Sequence, residues 1–169
     1  MKYMVTEFEK QKQERELIRQ ESRITMIISL SMLASIAAYT LIAYLFGSGR
    51  PPGKVVNNIW NVFSIVSVIL IIIVLAVRKT IYFSPRLVKE DFTLTDLLRR
   101  WRTIDIVLLA FAEAIAIMGL VSTLMGMPFA RTFHFFVGGF LLTMINMPIS
   151  FKVRDKIRTF EKYAGKSDE

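Results

Sequence analysis

Four long apolar stretches divide the chain, and the charged residues are gathered between them. No charged residue occurs from Ile24 to Gly49 or from Val55 to Val77. A third stretch, Ile106 to Ala130, is interrupted only by Glu113, and a fourth runs uncharged from Thr132 to Phe151. A helix crossing the hydrocarbon of a bilayer needs about 20 predominantly apolar residues. Each stretch is long enough, and each is apolar all round rather than along one stripe. Membrane barrel strands alternate apolar and polar residues in segments of about ten, a pattern missing here. The expected fold is therefore an all-α membrane protein. It is a four-transmembrane-helix bundle with spans near 24–46, 56–78, 104–126 and 131–150.

The segments between the spans suggest short amphipathic cytoplasmic helices. Residues 1–23 read as a charged, solvated N-terminal helix, weakly supported by pairs such as Lys12 with Glu16. Thr93-Leu94-Thr95-Asp96 resembles a helix-starting capping box, with Asp in place of Glu or Gln. Leu94, Leu97, Leu98 and Trp101 then alternate with Arg99, Arg100 and Arg102. This predicts a separate helix near 93–102 lying in the lipid interface, with Trp101 and the three arginines as its membrane contacts. The tail, 151–169, repeats a basic amphipathic pattern. Pro148 predicts a kink that frees the carbonyl of Met144.

Charge sets the expected orientation. Of the 22 Lys and Arg, 19 fall in the N-terminal segment, the 78–103 loop and the tail, which four spans place on one side. The positive-inside rule makes that side cytoplasmic, with both termini there, and points to a bacterial inner (plasma) membrane. The apolar run of the first span far exceeds a signal-peptide core, so it is expected to remain uncleaved. The net charge of +8 is accounted for by topology and anionic lipid contact, and no nucleic-acid motif accompanies it.

Candidate chemistry is sparse. With no Cys and one His, the chain offers no thiolate or histidine cluster for a metal, and no cofactor is expected. Neither a phosphate loop nor a nucleophile triad is present, so enzyme activity is not expected. His134 reads as an aromatic-belt residue and Asp105 as an acid compensating the dipole at a helix start. Ala112, Ala116 and Gly119 on the third span, with Gly138 and Gly139 on the fourth, are small enough for close helix packing.

Glu113 rises above architecture. A carboxylate at mid-membrane costs on the order of 3 kcal/mol on insertion scales. Counting the helical rise brings Ser31 and Ser35, Ser64 and Ser67, and Thr143 with Asn146 close to the same depth, with no Lys or Arg. Two readings follow. In one, the chain is a non-catalytic subunit or scaffold, contacting lipids and other membrane subunits or copies of itself, with Glu113 as a polar clasp. In the other, it is a small proton or Na⁺ conduit using Glu113 with Ser64, Ser67, Thr143 and Asn146.

The run Ala110-Phe-Ala-Glu113-Ala-Ile-Ala-Ile-Met-Gly119-Leu-Val resembles the ion-carrying helix of rotor-ring (proteolipid, c-type) subunits of rotary ATPases. That resemblance implies an ion-binding role for Glu113. The partner helix of that family carries a glycine stripe, whereas 56–77 has no Gly. Taken whole, the pattern is more similar to uncharacterised bacterial four-span inner-membrane proteins that share a Glu-bearing helix, which implies the architecture and no assigned activity.

Overall fold

A computed structural model describes residues 2–47, 53–82 and 94–147, with side chains chiefly in 23–47, 53–80 and 99–147. The described residues form four helices and no strand: α1 (Lys2–Phe46), α2 (Lys54–Tyr82), α3 (Leu94–Leu124) and α4 (Phe129–Asn146). Three contain stretches long and apolar enough to cross a membrane, Arg23–Phe46, Lys54–Thr80 and Arg99–Leu124. The fourth helix is shorter, at 18 residues, or about 27 Å of rise. Residues 151–169 lie outside the described residues.

Contacts along the helices fix an up-down-up-down order. Tyr39 meets Glu113, and Gly47 lies against Thr123 and Phe129, so α1 runs parallel to α3. Ser67 meets Met118 and Val74 clusters with Leu108, so α2 runs antiparallel to α3. Gly119 lies against Phe135 and Gly139 against Ala112, so α4 is antiparallel as well. One end of the bundle gathers Gly47, Asn57 and the α3–α4 turn, where Arg131 donates to Asn57 at 3.5 Å.

The tightest seam joins α3 to α4. A Cβ built on Gly139 would stand 2.7 Å from the Ala112 carbonyl and 3.2 Å from the Ala116 Cβ. One built on Gly119 would stand 2.7 Å from the Phe135 Cβ. Ala112 and Ala116 are fully buried. Lipid removes the hydrophobic drive between helices, leaving close van der Waals contact and interhelical hydrogen bonds to hold them. Small residues on both helices supply that contact. Gly138 departs from its expected role, because a Cβ there meets nothing nearer than 3.9 Å. It faces the looser junction with Ile71 of α2 and Ile115 of α3.

The α3–α4 turn follows from Gly126. Met127 N–H donates to the Ser122 carbonyl and Gly126 N–H to that of Thr123, closing a Schellman motif with Gly126 at φ 102°. Met127 is fully buried beyond it. Across the turn the hydroxyls of Thr123 and Thr132 lie 2.7 Å apart, both buried.

Several expectations change. The segment 93–102 is not a separate interfacial helix: from Leu94 onward it is the first part of a continuous α3. No helix breaker stands between Arg102 and Asp105, so the ladder continues. Trp101 is accordingly packed at 8% exposure rather than set out as a lipid anchor, while Arg99 and Arg100 are exposed and Arg102 half-buried. Asp105 then lies about three turns inside α3, buried, and not at a helix start. The third helix stops at Leu124 because of the Gly126 motif. The fourth stops at Asn146, with Met147 at φ −58°, ψ 126°, the extended geometry imposed on a residue before proline. The Met144 carbonyl expected to be freed accepts from Met147 N–H at 3.4 Å, and Pro148 itself lies outside the described residues.

The α3–α4 seam makes a direct prediction. Gly139→Ala or Gly119→Ala should lose about 1–3 kcal/mol through overpacking, and Gly126→Ala about 1–2 kcal/mol through its left-handed φ. Gly138→Ala should stay close to the parent. Unfolding of the purified protein by SDS titration in mixed micelles, followed by circular dichroism, measures all four. Equal tolerance at Gly138 and Gly139 would contradict the seam.

Candidate functional site

Glu113 sits near the middle of the apolar part of α3, 14 residues from Arg99 and 11 from Leu124. Those separations correspond to about 21 Å and 17 Å of rise. Its carboxyl Oε1 accepts a hydrogen bond from Tyr39 Oη at 3.1 Å. That contact is Glu113's hydrogen bond among the described residues. It joins α1 to α3.

The azimuth of Glu113 matters as much as its depth. At about 100° per residue, Ala112, Ala116 and Gly119 turn toward α4, while Ala110, Ile117 and Val121 lie on the opposite flank and are exposed. Glu113 falls on the border between these arcs and is half-buried. It therefore belongs to the outer edge of the α1–α3 seam and not to the centre of the bundle. Tyr39 is half-buried on the same edge, with Ser35 beside it.

The polar groups expected around Glu113 do not form a ring about it. Ser67 donates to Met118 Sδ at 3.5 Å, and Met118 is five residues along α3, about 140° round the helix from Glu113. Ser64 follows Ser67 on the same side of α2, and its buried Oγ has no partner. Thr143 donates to the Gly139 carbonyl at 2.8 Å and Asn146 to that of Leu142 at 2.9 Å, both buried within α4. Ser35 donates to the Ser31 carbonyl at 3.1 Å. Neither depth nor direction gathers them at Glu113: Ser67 stands at Met118, five residues along α3, and Asn146 lies toward the Asp105 end. Of the proposed site only Glu113 remains at the seam; Ser67, Thr143 and Asn146 serve separate contacts, and Ser64 Oγ has no partner.

Two residues take parts that sequence reasoning missed. Tyr39 is the partner of Glu113, and its signal was a tyrosine inside an apolar span, away from the interfacial depth that tyrosine favours. Asp105 is the second acid inside the bundle. It is buried, and so are Thr25 and Ser29 of α1 and Asn146 of α4 at the same end of the bundle. Ser29 donates to the Thr25 carbonyl at 2.8 Å. This end is thus lined by short polar side chains, and Asp105 is already engaged there.

His134 is exposed on α4, its ring edge-on to Trp60 at 5.9 Å and 4.2 Å from Phe135. No group of three or more His, Cys, Asp or Glu suited to a metal occurs among the described residues.

The Tyr39–Glu113 contact is measurable as a coupling. A double-mutant cycle on Tyr39→Phe and Glu113→Leu, read by SDS unfolding, should give about 0.5–2 kcal/mol, the range of hydrogen bonds between membrane helices. Independent effects of the two substitutions would remove the clasp.

No protein-family model, curated protein or solved structure matches the chain.

Proposed function

We propose that the chain is a non-catalytic subunit or scaffold of a bacterial inner-membrane assembly, in which the Tyr39–Glu113 edge receives a helix of another subunit. The observation that carries this reading is the position of Glu113: near mid-depth, half-buried, at the outer margin of its own bundle. An acid at that depth normally faces protein or water. Its own chain covers it on one side only, through Tyr39. A second copy docked by the same edge in two-fold symmetry would bring two carboxyls together, so a different subunit presenting a hydrogen-bond donor suits the edge better.

The same reading makes α4 the fourth span and puts both termini in the cytoplasm. Supporting it, α4 runs antiparallel to α3 and is packed against it more closely than α2 is. The bundle end holding Arg23, Arg78, Lys79, Arg99, Arg100 and Arg102 is far richer in cations than the end with Lys54 and Arg131, in keeping with the positive-inside bias. The ion-conduit reading draws less support, since Ser67, Thr143 and Asn146, which would help complete a ligand shell around Glu113, are engaged in other contacts.

Photo-crosslinking in native membranes tests the proposal. A benzoylphenylalanine at exposed Ile117, one turn from Glu113, should give a discrete protein adduct that Glu113→Ala weakens at least several-fold. The same probe at exposed Ile72 of α2 should give lipid adducts. Lipid adducts alone at Ile117, or an adduct indifferent to Glu113, would count against the assembly role. Proteoliposomes provide the complementary measurement: proton or Na⁺ flux abolished by Glu113→Gln would replace this reading with the conduit.

A further inference from the structure

A second polar locus lies on the opposite side of α3 from Glu113. Three buried side-chain atoms there have no hydrogen-bond partner: Trp60 Nε1, Ser64 Oγ and Ser122 Oγ. Ser122 is 1% exposed. The contact between Ser67 and Met118 sets the local register of α2 against α3. Ser64 stands three residues from Ser67 toward the α3–α4 turn, and Ser122 four residues from Met118 in the same direction. These steps are about 4.5 Å and 6 Å of rise, so the two hydroxyls reach nearly one level.

Their rotations agree as well. Advancing toward that end, Ser64 turns about 60° one way from Ser67 and Ser122 about 40° the other way from Met118. On facing helices those opposite turns carry both side chains toward the same flank, the one occupied by α4. Trp60 follows one turn further out on α2, its ring against His134 of α4 and packed on the cluster containing Phe135. The register thus sets an indole and two hydroxyls on the faces of α2 and α3 turned toward α4.

We propose that this junction is a water site, in which ordered water bridges Ser64, Ser122 and Trp60. A buried water makes about three hydrogen bonds to groups that otherwise lack partners. Water can accept from the indole, which only donates, and can exchange bonds with both hydroxyls. The chemistry disfavours a cation, because one of the three groups has no lone pair to offer. It disfavours an anion too. The nearest cationic side chains in sequence, Lys54 and Arg131, are both exposed, with Arg131 donating to Asn57, and an unpaired charge in this apolar setting would be costly. A neutral, water-sized occupant remains.

Met118 provides a built-in reporter, since its thioether adjoins Ser67 one turn inward. The test is radiolytic hydroxyl-radical footprinting of the full chain in nanodiscs, with oxidation read by mass spectrometry. Ordered water beside a side chain generates radicals that oxidise it. Met118 should be oxidised several-fold faster than Met144, which is exposed on the lipid-facing surface of α4. The double variant Ser64→Ala, Ser122→Ala should bring Met118 down to the Met144 level while helicity by circular dichroism is retained. Ser122→Ala alone should give an intermediate rate. Met118 oxidised no faster than Met144 in the parent, or at an unchanged rate in the double variant, would overturn the site.

Discussion

The approach of α4 to α3 governs how everything else in the bundle is turned. Gly139 rests on the Ala112 carbonyl and the Ala116 Cβ, and Phe135 rests on Gly119. These contacts are reciprocal, glycine on each helix receiving a larger group from the other, so neither helix can rotate without losing the fit. Once Ala112, Ala116 and Gly119 are committed to α4, the rest of α3 has no choice of direction. Leu108 and Ile115 turn to the cluster shared with Val74 of α2. Glu113 is left at the boundary between α1 and the outside. The half-buried carboxyl is thus a consequence of small-residue packing one face away.

That constraint also explains the thin attachment of α2. Its exposed residues include Val62, Ile65, Val68, Ile69, Ile72, Ile73 and Leu75, a surface that water would not tolerate on a monomer and that acyl chains accept. With the closest α3 contacts given to α4, α2 meets the bundle through larger side chains, Phe63, Leu70, Ile71 and Val77 around Val74. Larger side chains hold helices further apart. The polar atoms of Trp60, Ser64 and Ser122 lie in this looser region, whereas the Thr123–Thr132 hydroxyl pair lies in the tight one and is satisfied directly. Closeness of approach decides whether two hydroxyls meet each other or need something between them.

Three span-length helices were legible because a run of about twenty residues with almost no charge is seldom found outside a helix that crosses lipid. The small-residue seam was legible for a related reason: Ala112, Ala116, Gly119 and Gly139 are what close helix contact requires. Depth could be counted from the helical rise, and Glu113 does lie near the middle. Rotation and the register between helices could not. Ser67 stands at Met118 and Ser64 near the level of Ser122, five and nine residues from Glu113 along α3, because level and direction both depend on how each helix packs, a tertiary fact absent from any single span. The segment near Trp101 was misread through the same gap. An apolar stripe beside arginines looks alike whether it meets lipid or protein, and here Trp101 meets protein. Asp105 was assigned to a helix start because the preceding turn was credited to a different helix.

The polar residues inside the bundle sort by how each avoids an unmet hydrogen bond in a low-dielectric medium. Thr25 to Ser29, Ile36 to Thr40, Gly119 to Thr123 and Gly139 to Thr143 all use a hydroxyl donating back to the carbonyl four residues earlier. That solution is local and needs no partner helix, so such residues carry little information about function. Tyr39 and Glu113 use each other across 74 positions of sequence. A carboxyl cannot be satisfied by its own helix in this way, because every backbone N–H in mid-helix is already donated. It must find a donor on another element, and a single phenol leaves most of its accepting capacity unused. This asymmetry sets Glu113 apart from those hydroxyls: its hydrogen bond has to come from another helix.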